Sequence, residues 1–161
     1  MKPPKSCMTA HPRMRVAGFT LAELLVTMVI MLILASIAYP AYTSFMIKAR
    51  RAEGQTALLD AMLQQERYYT QHQTYLVFSS ASTEPDAKDF RWWSGQVAAD
   101  SAYEISGRAC PGITLERCIE LHAEPGTAVV NASFSDPECA TLILTSAGHA
   151  YATGPKARCW P

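Results

Sequence analysis

Hydrophobic and polar positions along this chain fall into three regimes. From Leu24 through Ile47 there is no Asp, Glu, Lys or Arg, a run of 24 residues that is apolar on every side. About 20 such residues suffice to cross a bilayer. Beyond Ile47 the pattern becomes amphipathic. Ala52, Leu59, Leu63 and Glu66 share three- and four-residue spacing with Ala49, Thr56 and Met62, whereas Arg51, Gln55 and Gln65 are expected to face water. No sustained heptad argues for a coiled coil. One helix from Phe19 to about Tyr69 would measure roughly 75 Å at 1.5 Å per residue.

The third regime has period two. Tyr103, Ile105 and Gly107 alternate with polar residues, and Ile119, Leu121 and Ala123 alternate with Glu120, His122 and Glu124. Both runs predict half-buried strands, the second ended by Pro125-Gly126. His122, on the polar side of its strand, is expected to be solvated. Residues 141–145, a Ser146-Ala147-Gly148 turn and residues 149–151 predict a terminal hairpin. Between helix and strands, Tyr68, Tyr69, Tyr75 and Phe78 supply apolar area to pack the first loop onto the sheet. The stretch 79–99 reads as loop or short helix. Of Trp92 and Trp93 within it, one ring is expected inside and the other toward a neighbour. A long helix followed by about four antiparallel strands is an α+β arrangement.

Charge and cysteines both separate a short leader from the body. Lys2, Lys5, Arg13 and Arg15 precede Phe19, which leaves ten basic against fourteen acidic side chains beyond it. That mildly acidic body gives no electrostatic reason to expect nucleic-acid binding, which depends on phosphate neutralisation. Cys7 lies in the leader, while Cys110, Cys118, Cys139 and Cys159 are all in the last third. Four cysteines downstream of an apolar segment suggest two disulfides in an oxidising compartment. Wide spacing and the lack of a C-x-x-C pair argue against zinc. Three pairings are open to the four cysteines, and sequence does not choose between them; Cys110–Cys118 with Cys139–Cys159 is the favoured set.

The chemistry at the start of the apolar run is unusual. Gly18-Phe19-Thr20-Leu21-Ala22-Glu23 leads into it, and Glu23 is a carboxylate where hydrocarbon makes charge costly. Two ordinary readings exist: a secretory signal cut after Ala38, at the small-residue triplet Ser36-Ile37-Ala38, or a simple membrane anchor. Residues 14–42, MRVAGFTLAELLVTMVIMLILASIAYPAY, instead closely resemble the class III signal of type IV pilins and type II secretion pseudopilins. That resemblance implies cleavage between Gly18 and Phe19 by the prepilin peptidase and N-methylation of Phe19. It also implies that Glu23 pairs with the new α-amino group of a neighbouring subunit, setting axial register. Pro40 matches the family's proline, which lacks an N–H and is expected to kink or locally melt the helix. A glycine that commonly precedes it in relatives is Leu32 here.

The resemblance extends to the pilin fold, with residues 139–159 as a disulfide-bounded C-terminal region, and is strongest to PilE-type minor pilins. It implies three parts: a leader, 1–18; a transmembrane and filament-core helix, 19–47; and a globular head, 48–161. The expected partners are other pilin subunits, the prepilin peptidase, the inner-membrane pilus assembly machinery and the membrane itself. The implied location is the bacterial inner membrane, head in the periplasm, and then the extracellular pilus. Lys and Arg flank the span four to three, so this orientation rests on the processing motif and the disulfides. The implied function is structural, in pilus biogenesis, with motility, adhesion or DNA uptake as its outlets. The alternatives are a secretion pseudopilin and a secreted or anchored binding domain.

No nucleophile elbow, zincin, P-loop or dinucleotide motif occurs, and His11, His72, His122 and His149 are scattered. No catalytic residue, cofactor or metal is therefore assigned. Asp136 and Glu138 are weighed as calcium ligands, with solvated loop acids as the ordinary alternative.

Overall fold

The computed structural model describes residues 19–161, so Gly18 and Cys7 lie outside the described residues. The chain forms two compact units divided between Ala41 and Tyr42. Helix α1, Leu21–His72, contributes to both and runs as continuous helix through Pro40. The expected local melting is not seen in the isolated chain. In the first unit the apolar side chains of α1 are all exposed, and the helix is long and apolar enough to cross a membrane. Its hydroxyls are satisfied locally: Thr27 Oγ1 donates to the Leu24 carbonyl at 2.9 Å and Ser36 Oγ to that of Ile33 at 2.7 Å. Such internal bonding is what hydrocarbon demands of polar groups.

In the second unit, four strands form an antiparallel sheet in the order β1-β2-β3-β4: Tyr103–Ala109, Ile119–Pro125, Leu142–Thr145 and Ala150–Ala152. The register pairs Gly107 with Leu121, Leu121 with Leu144, and Leu144 with Ala150. Leu121 and Leu144, with Tyr103, Ile105 and Ile119, face the helix and form the core with Leu58. Gly54 permits the close approach, since a Cβ there would come within 2.8 Å of the Tyr103 ring. Gly148, at φ +80°, makes the turn from β3 to β4, where a left-handed backbone favours glycine.

The face that α1 buries differs from the expected one. Arg51, Gly54, Leu58, Ala61 and Gln65 are inside, while Ala52, Leu59 and Leu63 are exposed. Burying Arg51 and Gln65 is affordable because both find hydrogen-bond partners inside the protein. Gln65 donates to the Leu76 carbonyl at 2.7 Å and accepts from its N–H at 2.9 Å. Phe45, Ala49, Ala52, Thr56, Leu59 and Leu63 make an exposed, mostly apolar stripe at three- and four-residue steps.

His122 is a second correction, because it is buried and not solvated. Strand β2 is central, and its outward positions Glu120 and His122 are covered as well as its core positions. The stretch 79–99 is largely irregular and contains the short helix α2, Pro85–Lys88. Trp92 and Trp93 meet edge-to-face at 5.0 Å, and both are half-buried, so neither is the fully interior ring expected. Both sheet edges are guarded. Phe78 and Trp93 bridge to Gly107 and Glu104 along β1, and Trp160 Nε1 donates to the Tyr151 carbonyl on β4 at 2.9 Å. Occupied edges do not recruit foreign strands.

Candidate functional sites

At the start of α1, Glu23 closes a reciprocal cap. Its Oε2 accepts from the Thr20 N–H and the Thr20 hydroxyl, each at 2.9 Å, while Thr20 Oγ1 accepts from the Glu23 N–H at 3.3 Å. This is a capping box, which satisfies orphan donors at a helix N-terminus. Phe19 beside it is 81% exposed. In the lone subunit, then, the acid serves its own helix.

A second constellation joins α1 to the C-terminal region. Arg51 Nε and Nη2 donate to Asp136 Oδ2 and Oδ1, both at 2.7 Å, and Nη2 also reaches Glu138 at 3.1 Å. Tyr103 Oη donates to Asp136 Oδ2 at 2.7 Å, and the Cys139 N–H to Oδ1 at 3.2 Å. Asp136 is wholly enclosed. Burial opposes its ionisation, but the donors of Arg51, Tyr103 and Cys139 outweigh that and hold its carboxyl below the usual aspartate range. Burial, then the adjacent carboxylate, pushes the Tyr103 phenol up. Both oxygens of Asp136 are committed to protein donors, with the Arg51 guanidinium alongside. Among the described residues no group of three or more His, Cys, Asp or Glu side chains is arranged for a metal.

Of the two disulfides, Cys139–Cys159 adjoins this constellation through the Cys139 N–H. Cys110 pairs with Cys118 across the β1–β2 connection, and Cys139 with Cys159. Gln55 Nε2 on α1 donates to the Cys159 carbonyl at 2.6 Å. Helix and C-terminal loop are thus fastened at two points.

The third constellation lies on the sheet face turned away from α1. Glu120 Oε1 accepts from Arg108 Nε at 2.9 Å and lies 2.8 Å from His122 Nε2; Oε2 accepts from Tyr151 Oη at 3.2 Å. Glu120 and His122 are each 3% exposed, whereas the Arg108 side chain is 60% exposed. Tyr151 continues into a groove of about 250 Å³, whose lining includes Lys156, Arg158 and Trp160. Tyr151 thus joins the Glu120 network, topped by the exposed Arg108, to a groove that carries Lys156, Arg158 and Trp160, on a chain that is acidic beyond its leader. One of the cations, Lys156, is paired with Glu138 at 2.7 Å.

Comparison with known proteins decides what this arrangement belongs to. The profile of the prokaryotic N-terminal methylation motif matches residues 13–39. The profile of the type IV minor pilin ComP, DNA uptake sequence receptor, matches residues 40–143, well over half of the chain. The chain belongs to this family of type IV minor pilins. It is similar also to a solved type IV pilin from Shewanella oneidensis, at 23% identity over 71% of this chain and 98% of that one, with a TM-score of 0.44. The methylation motif and the apolar helix fit a membrane-anchored pilin that assembles with other pilins after prepilin processing. As a minor pilin of a type IV pilus, the protein belongs to a family of structural subunits.

Sequence reasoning missed the head's two buried networks. A signal for Arg51 exists, because it stands in step with Gly54, Leu58, Ala61 and Gln65 at three- and four-residue spacing. Nothing in the local pattern marks Asp136 as its partner 85 positions away.

Proposed function

We propose that this minor pilin is cut between Gly18 and Phe19, is methylated on Phe19, and enters the fibre through α1 with its head outside the cytoplasm. Glu23 then exchanges its own helix cap for the α-amino group of a neighbour's Phe19. An unmatched carboxylate in a dry helix bundle is costly, and opposite charges at low effective dielectric attract strongly. The capping box supports this reading, because it keeps the acid satisfied while the subunit waits. Pro40, which lacks the N–H that would bond the Ser36 carbonyl, is the point at which packing can loosen α1. The exposed stripe from Phe45 to Leu63 offers other pilins a packing face along the second unit.

On the fibre, the head contacts DNA. The family is that of a DNA uptake sequence receptor. The observation that carries the reading for this chain is the exposed Arg108 held on the Glu120–Tyr151 network, together with the groove that Tyr151 shares with Arg158 and Trp160. Guanidinium groups meet phosphates bidentately, and such phosphate contacts position a protein on a duplex. The acidic body leaves few cations for contact, so affinity will fall with salt at a log–log slope of about one per phosphate neutralised. Duplex DNA binding by the purified mature protein, measured against salt, tests this. Binding that is absent at low salt, or unchanged by Arg108→Ala with Arg158→Ala, removes the proposal. Intact mass of the native protein tests the processing: a chain beginning at methylated Phe19 is expected, and one beginning at Tyr39 refutes it.

A further inference from the structure

Glu120 is an odd residue to find beneath a surface that meets a polyanion. It lies on the central strand, enclosed, with its charge directly under Arg108. Burial opposes its ionisation, yet the donors from Arg108, His122 and Tyr151 keep its carboxyl below the usual glutamate range. An ionised acid should repel the ligand proposed for this face, unless it has another task.

We propose that Glu120 is a positioning residue, which fixes Arg108 and Tyr151 in the orientations that DNA meets; this rests on the reading that the surface binds DNA. The geometry gives the reason. Arg108 is bound through Nε alone, and its Nη atoms make no hydrogen bond among the described residues. The tie at Nε therefore aims the Nη edge outward, free for a bidentate contact to a phosphate or a guanine. Tyr151 is held at both ends, its hydroxyl by Glu120 and its carbonyl by the Trp160 indole. His122 backs Oε1 from the same strand, and Thr145 is the register neighbour of Glu120 on β3. A flexible arginine must be ordered when DNA binds; here that ordering is already done in the folded head.

Positioning and simple repulsion predict opposite signs. Glu120→Gln removes the charge at nearly constant size. If Glu120 only repels, the variant binds DNA more tightly. If it positions, affinity falls by about fivefold, because Arg108 and Tyr151 must then be ordered on binding. Arg108→Ala should lower affinity and also reduce the salt slope by about one, as one phosphate contact is lost. Glu120→Gln should leave that slope nearly unchanged.

The experiment is fluorescence anisotropy of the full mature chain in detergent micelles, titrated into labelled 40-bp duplexes with randomised centres. Wild type that binds while Glu120→Gln binds equally or better overturns the positioning role alone. Wild type that binds no duplex overturns the DNA reading, and this inference with it. Should Glu120→Gln fail to fold, the wild-type Arg108 Nε–H signal in the NMR spectrum decides. A signal that persists at neutral pH supports the tie to Glu120; exchange as fast as in free arginine overturns it.

Discussion

Arg51 and Asp136 lie 85 residues apart and meet through two parallel hydrogen bonds of 2.7 Å, with both side chains withdrawn from water. Breaking such a pair leaves the surviving charge buried and uncompensated, which costs about 3–5 kcal/mol. Asp136→Ala and Arg51→Ala are each expected to destabilise the head by that amount in chemical denaturation. The double substitution Arg51→Met with Asp136→Asn should cost less than either alone, because no charge is left buried and the amide oxygen still accepts from Tyr103 and Cys139. A double variant as weak as the singles would refute this account of the pair.

The same pair sets an acid limit. The folded carboxyl of Asp136 is depressed, so the stability it contributes is present above the unfolded aspartate value of about 3.9 and lost as pH falls through the folded one. Thermal melting followed downward from pH 7 should show Tm steady to about pH 4 and then falling. In Asp136→Ala the starting Tm is lower and the acid slope is shallower. Equal slopes in the two proteins would move the acid sensitivity elsewhere.

Reduction should loosen the head by a comparable amount. The Cys139–Cys159 bridge closes a loop with a sequence separation of 20, and Cys110–Cys118 one of 8. Chain-entropy arguments give about 3 kcal/mol for the longer loop and somewhat less for the shorter. Replacing Cys139 and Cys159 by serine should therefore lower the denaturation midpoint more than the same change at Cys110 and Cys118. The reverse order would point to a local structural role for the shorter bridge.

Assembly is expected to depend on Glu23 without depending on it for processing. Glu23→Leu should still be cleaved and membrane-inserted, yet be missing from sheared fibres. A stripe variant, Leu59→Asp with Leu63→Asp, should keep the head's melting temperature, since both side chains are exposed, and also fail to enter the fibre. Recovery of Glu23→Leu in pili at wild-type levels would remove the register argument.

Strands and turns were legible in the sequence because alternation and punctuation are local. Tyr103, Ile105, Ile119 and Leu121 all point inward as their pattern predicts. Helix faces were less legible, because an apolar stripe says only that something covers it. Leu59 and Leu63 are exposed in the isolated subunit, whereas Arg51 and Gln65 are buried against Asp136 and the Leu76 backbone. Glu120 and His122 were misread for a related reason. Their alternation with Leu121 marks an opposite face correctly, but does not reveal that this face is covered. Such long-range pairings are invisible to periodicity, and they build both networks of the head.

The short stretch from Pro155 to Arg158 is exposed and leads straight to Cys159, whose partner Cys139 sits beside the clamped Asp136. With the bridge fastening its base, the exposed side chains of that tip can change without disturbing the interior. A fibre built on this subunit can therefore revise what it touches by mutation, one exposed side chain at a time, while the scaffold beneath it is inherited intact.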